Sequence, residues 1–472
     1  MEPANAPTRT DTRQRARQLA LLLGLSLVIL SFNFGSRQLL TNDDTRFPVM
    51  ARDVLAHGHW LLPALPDGRP HLAKPPLVVW LMSLASWPAG AVSARTAILP
   101  SLLEAVGVVL VTAWIGRRLF DAGAGVVAGL VVLTTVGVFS FAHSAMPDMA
   151  LLLALTGAMA AYVRWETGGT SADLVAFYAL VGIACLTKGA AGLLPLAIVL
   201  VHTLTVRGVA GLRRLGSAPG LVLLLVIAVP WWIVAATADR ERFVSGIVLY
   251  DQLLWYVPTT GRHWRAISEP IGHAVAITLP WCILLPVAVR AAIREAHAER
   301  SRYLRLLLVW LATVFAILAV SDQQRERYYL PLCPAVALLI GWWYSTLAWR
   351  RRVWAFAGAW ITLVAIGAVI DTIHTRRFNE ATDLAAVRAA LENRSGPLYA
   401  TDVPELALTF NLERPVLVSK SLRFFRDRVA PDGHLIISDR ALAGAPDQSC
   451  LRQLARGVLD RQPFTLVIKA GC

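Results

Sequence analysis

Between Leu19 and Ile370 the sequence repeats one pattern: an apolar run, a short arginine-bearing loop, another apolar run. Each run approaches the ~20 residues that carry a helix across a bilayer. Lipid offers no partner for a bare backbone N–H or C=O, so each run has to be a helix. Composition agrees: of 472 residues, 56% are hydrophobic and 16% are charged, against about 25% charged in soluble globular chains.

The expected spans, about eleven, lie near 18–34, 97–115, 123–142, 150–163, 174–186, 190–204, 220–236, 273–289, 306–320, 330–348 and 353–370. The piece "KPPLVVWLMSLASWPAG" (74–90) is short, opens on two prolines and is rich in tryptophan. It reads as an interfacial helix rather than a span, and counting it as a span would invert every later loop. The N-terminus is basic and then apolar, like a signal peptide, without a convincing small-residue cleavage site. It reads as an uncleaved first span with its basic end inside. The loops holding Arg117 and Arg118, Arg164, Arg207, Arg213 and Arg214, 290–305, and 350–352 then fall on the inner side.

Two parts follow. Residues 1–370 form a multi-span module with a first outer loop near 35–93, and residues 371–472 form an extracytoplasmic domain. In this tail "PLYAT", "PVLVS", "HLIIS" and "FTLVIKA" are strand-like, while "TDLAAVRAALEN", "SLRFFRDRV" and "SCLRQLARGVL" are helix-like. A small α/β sandwich with a largely parallel sheet is expected. No glycine-rich phosphate loop opens its helices. Cys450 and Cys472 both fall in this tail and form either a disulfide or two thiols. Cys185, Cys282 and Cys333 belong to apolar stretches as packing residues.

The formal net charge of +14 does not point to nucleic acid, because the cations sit in loops where they set topology and meet lipid headgroups. The unusual polar residues gather on the outer side of this topology. They are Asp43, Asp44 and Arg46; Lys74; Asp148; Lys188; Asp251, Arg262, His263 and Glu269; and Arg325, Arg327, Tyr328 and Tyr329. Ionisable groups at span ends mark sites. A carboxylate pair supplies a general base and an orienting neighbour. Lysines and arginines supply a clamp for an anion, phosphate foremost. Base, clamp and apolar groove describe group transfer from a lipid-linked phosphate donor. The rivals are a lipid or solute transporter, which calls for mid-membrane charges and internal repeats, and a non-catalytic scaffold for the tail. No pair of histidines or cysteines is read as having metal-ligand spacing. No cofactor is required, and a divalent ion near Asp43 is left open.

The stretch "NDDTRFPVMARDVLAHGHWLLPALPDGRPHLAKPPLVVWL" resembles the first outer loop of the aminoarabinose-transferase-like glycosyltransferases, relatives of the protein O-mannosyltransferases with the GT-C membrane fold. The shared elements run in order: Asp43, Asp44, Arg46, Phe47, Ala51, Arg52, Leu55, Gly58, Trp60, Lys74, Pro75 and Pro76. "MPDM" with Asp148, "LTKGAAGLLP" with Lys188 and "RERYYLPLCPAVALL" continue the likeness.

The resemblance implies a polytopic α-helical GT-C protein of a bacterial inner membrane, with its active site and tail facing the periplasm. It implies a polyprenyl-phosphate sugar donor, inversion at the anomeric carbon, and a glycolipid of the lipid A kind, a glycan or a protein as acceptor. Asp43 would be the base, Asp44 its neighbour and Asp148 an accessory acid. Lys74 would hold the donor phosphate with Arg46, Lys188, Arg325 and Arg327, while Tyr328, Asp251 and His263 would meet substrate. The sequence departs from the family where Asp44 replaces a commoner Glu and where Gln252 and Trp255 stand near Asp251. Blander readings remain for each: a helix cap for Asp43, Asp44 and Asp148, a snorkelling or anchoring role for Lys74 and Lys188, and ordinary juxtamembrane charge for Arg325 and Arg327.

Overall fold

The computed structural model describes residues 9–244, 268–295, 301–321, 324–347, 352–445, 448 and 450–470. The chain divides into two compact units. The first comprises Met1–Phe32, Leu72–Leu77 and Pro100–Ala365, and the second comprises Asn33–His71, Val78–Leu99 and Ile366–Cys472.

The chain opens with helices α1 (Arg9–Leu30), α2 (Asn42–His57), α3 (Leu77–Ser86), α4 (Ala94–Leu119), α5 (Ala122–Leu133) and α6 (Val136–Ala142). Next come α7 (Asp148–Glu166), α8 (Ser171–Lys188), α9 (Leu194–Gly211), α10 (Ala218–Ala228), α11 (Pro230–Ala238) and the single turn α12 (Arg240–Arg242). The helical series closes with α13 (Ser268–Thr278), α14 (Leu285–Glu295), α15 (Ser301–Ala319), α16 (Cys333–Ser345) and α17 (Arg352–Glu380). Each expected span coincides with one of these helices or with a consecutive pair. Among the described residues, length and apolarity alone qualify fewer crossings than eleven: 5 helical stretches, one of them the 45-residue Ser171–Leu215, or 6 with the bent pair α5 and α6. Part of the difference arises because helix breaks divide apolar runs, as at Thr134 and Thr135 between α5 and α6, where the axis turns by 59°, and part because Ser171–Leu215 counts once where two spans are expected. Helix α3 has 10 residues, too short to cross a bilayer of the usual thickness.

Close helix contact in the first unit depends on small residues, as membrane packing requires. A Cβ on Gly125 in α5 would lie 2.5 Å from the Ala113 carbonyl oxygen of α4. Arg117, in the last turn of α4, donates to the Gln18 side chain of α1 at 3.1 Å, and the indole of Trp360 in α17 donates to the Leu130 carbonyl at 3.1 Å.

The second unit combines the first outer loop with the tail. The tail sheet contains β1 (Leu398–Thr401), β2 (Val416–Val418), β3 (His434–Ser438), β4 (Leu451–Leu459) and β5 (Gln462–Lys469) in the order β2-β1-β3-β5-β4. Helices α18 (Ala385–Leu391), α19 (Glu405–Leu412), α20 (Leu422–Arg428) and α21 (Asp439–Ala443) accompany it. One apolar core holds Val387 and Leu391 of α18, Ala407 and Leu408 of α19, and Leu398, Ile436 and Leu466 of the sheet. Phe425, Val429, Leu435, Ile437 and Val467 form a second core. The alternation of Leu435 and Ile437 with Ile436 along β3 assigns them to opposite faces.

Two expectations for the tail are corrected. "SCLRQLARGVL" forms strand β4 rather than a helix, and the sheet is mixed rather than largely parallel. Strand β1 pairs in parallel with β2 and β3, but β5 is antiparallel to both β3 and β4. The cause is a two-residue hairpin between β4 and β5. Asp460 and Arg461 take positive φ of 46° and 64°, the conformation of a type I′ turn. Cys185, Cys282 and Cys333 are free thiols, and Cys450 is disulfide-bonded. Its expected partner, Cys472, lies outside the described residues.

Leu40, from the chain just before α2, is itself part of the core that holds Leu398 and Leu466. Arg52 of α2 donates to the Phe410 carbonyl at 2.8 Å, to the Thr409 carbonyl at 3.4 Å and to the Val92 carbonyl at 3.2 Å. Its guanidinium carbon also lies 4.2 Å from the centre of the Phe410 ring. Burial pulls the Arg52 pKa down, and Glu413 opposes that pull. Arg52→Ala should therefore lower stability by about 1–2 kcal/mol, the range for charge-assisted hydrogen bonds discounted for partial exposure. Thermal unfolding of the full chain in detergent checks this.

Candidate active site

The acidic pair opens helix α2, and its two members do different work. Thr41 is the N-cap: its hydroxyl oxygen accepts from the Asp44 backbone N–H at 3.1 Å and donates to the Asp44 carboxylate at 2.8 Å. The two residues have the spacing of a capping box, with Asp at the third helical position, but the return bond is to the Thr41 hydroxyl rather than to its backbone N–H. Asp44 is thus engaged in starting the helix. Asp43, one residue earlier, stands outside the cap and faces Arg46 across 3.4 Å, with its side chain 27% exposed. Both carboxylates also gain from the positive end of the helix.

Asn42 fixes this end of α2 against α19. Its amide nitrogen donates to the Glu405 carboxylate at 2.8 Å, and its amide oxygen accepts from the backbone N–H of Leu406 at 2.9 Å. The Asn411 side chain donates to the Leu39 carbonyl at 2.8 Å. Asn42 and Glu405 have no sequence signal linking them, whereas the Thr41 and Asp44 cap is readable from the spacing.

In the first unit, three distant segments bring five of the expected residues together. Asp148 is the first residue of α7 and is 4% exposed. Lys188 is the last residue of α8, where the helix breaks at Gly189 with φ of 62° and ψ of −131°, a backbone that an L side chain resists. That break leaves Lys188 at the helix end, and its ammonium donates to the Asp148 carboxylate at 2.5 Å. The same ammonium lies 4.5 Å from the centre of the Tyr328 ring, in the 3-10 turn Glu326–Leu332. Arg327 approaches that ring at 5.8 Å.

Burial pushes the Tyr328 phenol up; Asp148 adds to the shift, while Arg327 and Arg325 oppose it. Both arginines therefore act on the same ring. Lys188, Arg325 and Arg327 thus gather around Tyr328 beside the buried Asp148 carboxylate, and grouped cations of this kind can meet an anion. Lys74 is half-buried and directly precedes the two prolines before α3. Asp251 and His263, expected to meet substrate, lie outside the described residues, as do Gln252, Trp255 and Arg262.

One group was missed. Asp53, His57 and His59 bring their ligand atoms within 4.8 Å of one another at the C-terminal end of α2. The expectation that no histidine pair has ligand spacing is therefore corrected. The signal was His57 and His59 two residues apart, with Asp53 one helical turn before His57.

Comparison with known proteins fits this picture. The family described as dolichyl-phosphate-mannose-protein mannosyltransferase matches residues 73–234. The undecaprenyl phosphate-alpha-4-amino-4-deoxy-L-arabinose arabinosyl transferase of Pectobacterium carotovorum subsp. carotovorum (strain PC1) is 26% identical over 74% of this chain. The enzyme of the same name from Enterobacter sp. (strain 638) is 27% identical over 75% of it. The chain spans under two thirds of those relatives' length, 63% and 64%. Among solved structures, ArnT from Cupriavidus metallidurans bound to undecaprenyl phosphate superposes with a TM-score of 0.77 at 21% identity, covering 95% of this chain and 97% of that one. The chain therefore has the GT-C fold, with a multi-span helical body and a small C-terminal sheet domain, and it is a sequence relative of the aminoarabinose transferases.

Proposed function

We propose that this membrane protein is a glycosyltransferase that moves a sugar from a polyprenyl-phosphate donor to an acceptor outside the cytoplasm, with inversion at the anomeric carbon. The observation that carries the proposal is the cationic cluster of Lys188, Arg325 and Arg327 around Tyr328 and Asp148, in a fold shared with a protein solved with undecaprenyl phosphate. In this reading Asp43 accepts the proton of the acceptor hydroxyl as the oxygen attacks the anomeric carbon. The bond from that carbon to the phosphate oxygen breaks, and polyprenyl phosphate leaves with the electron pair. Lys74, Lys188, Arg325 and Arg327 offset the charge that develops on the leaving phosphate, with Arg46 as the electrostatic partner of Asp43. Asp148 holds Lys188 in place. Asp251 and His263 complete the proposed substrate-binding set.

The active face is assigned to the periplasm and the protein to a bacterial inner membrane. The acceptor is a glycolipid of the lipid A kind, a glycan or a protein. No cofactor is required for this chemistry. The test is purified full-length protein in liposomes with a labelled polyprenyl-phosphate sugar and each acceptor class. The expected result is a labelled acceptor and one released polyprenyl phosphate per sugar transferred. A donor that crosses the bilayer unaltered, or no reaction with any acceptor, would overturn the assignment.

A further inference from the structure

A second site stands at the other end of the acid-bearing helix. Asp43 and Asp53 are ten residues apart, about 15 Å along an α-helix. The Asp53 carboxylate is 12% exposed, and its Oδ2 accepts from the backbone N–H of Ala64 at 2.8 Å. His57 Nδ1 lies 2.9 Å from Asp53 Oδ1, and His59 Nδ1 lies 3.0 Å from Oδ2 and 3.2 Å from Oδ1. The two imidazoles stack with centroids 5.6 Å apart.

This arrangement is built by the backbone. Gly58 ends the helix in the left-handed region at φ of 73° and returns its N–H to the Val54 carbonyl at 2.9 Å. That turn folds His59 back over His57. Beyond it, Trp60 donates its N–H to the Gly58 carbonyl at 2.9 Å and accepts at its own carbonyl from the Trp80 indole at 2.5 Å. Both ends of the His57–Gly58–His59 turn are held before any ligand arrives.

We infer that Asp53, His57 and His59 form a binding site for a divalent transition-metal ion of the zinc class, outside the catalytic residues proposed above. Two imidazole nitrogens and one carboxylate suit zinc, cobalt or nickel better than calcium or magnesium, which prefer oxygen alone. Donor atoms within 4.8 Å of one another fit around an ion that takes them at about 2.0–2.2 Å. Ligation uses the bare Nδ1 of each ring and leaves the proton on Nε2. The Ala64 N–H orients the carboxylate from outside, as second-sphere groups do in metal sites. The side chains of His57 and His59 are 64% and 53% exposed, so the ion reaches the site from solvent and water completes its coordination.

The test uses full-length protein in detergent, free of any affinity tag, stripped with a chelator and titrated with zinc by calorimetry and with cobalt by visible absorption. The expected result is one equivalent bound, with cobalt bands of low-coordinate nitrogen and oxygen ligation. His57→Ala and His59→Ala should each weaken binding at least ~10-fold, and the double variant should abolish it. Asp53→Asn keeps an acceptor for Ala64 and loses the charged ligand, so it should weaken zinc while size-exclusion elution stays unchanged. Asp43→Asn should bind zinc as the parent does. Absence of stoichiometric binding, or binding that survives in a well-folded double histidine variant, would overturn the inference.

Discussion

Asp43→Asn is expected to lower sugar transfer by about three orders of magnitude, within the range for removing a general base, while leaving the protein as stable as before. The substitution keeps the shape of the side chain and removes its negative charge and its basicity. It spares the helix cap, because the cap is made by Thr41 and Asp44. It removes a half-exposed pairing with Arg46 across 3.4 Å, worth about 0–1 kcal/mol. Asp44→Ala should show the reverse balance, with about 1 kcal/mol of lost stability from the weakened cap and a smaller effect on rate. Transfer kinetics and thermal midpoints on the same preparations separate the two acids. A variant Asp43→Asn with parental transfer would remove Asp43 from the base role.

The second large effect concerns stability. Lys188→Met leaves Asp148 as a buried carboxylate, 4% exposed, without its 2.5 Å ammonium partner. Breaking a buried pair from one side costs about 3–5 kcal/mol when the remaining charge is left alone, so this is the upper bound here, where Arg325 and Arg327 stay beside Tyr328. Asp148→Asn together with Lys188→Met removes both charges and should recover most of that loss. Transfer should stay low in the double variant if the ammonium also serves the donor phosphate. Thermal unfolding of both single variants and the double variant gives the coupling directly. Additive losses would mean that the pair contributes nothing specific. Recovered stability together with recovered transfer would make Lys188 a structural residue.

The helical body was legible because lipid imposes a simple rule on it: long apolar runs have to be helices. The Asp148, Lys188 and Tyr328 cluster was legible as residue types, since charges at span ends are rare and conspicuous, although their mutual distances were not. The tail was harder. "SCLRQLARGVL" carries leucine, alanine and arginine at spacings that suit a helix, yet it becomes β4. The partner strand β5 decides its conformation, and the turn that joins them is Asp460–Arg461 rather than the Asn-Gly or Asp-Gly that announces a hairpin. The division of labour between Asp43 and Asp44 was half-visible. Thr41 three residues before Asp44 is a capping spacing, but nothing near Asn42 in the sequence points to Glu405.

The Asn42 contact also bears on how the protein is made. Asn42 and Glu405 are 363 residues apart in sequence. At about 5–20 residues per second, a ribosome needs about 20–70 s to travel that far. Throughout that interval the acid-bearing helix lacks the tail segment that fixes its first turn. A segment synthesised much later thus completes the setting of the acid-bearing helix, so a nascent chain that has not reached Glu405 holds Asp43 without the finished framework around it.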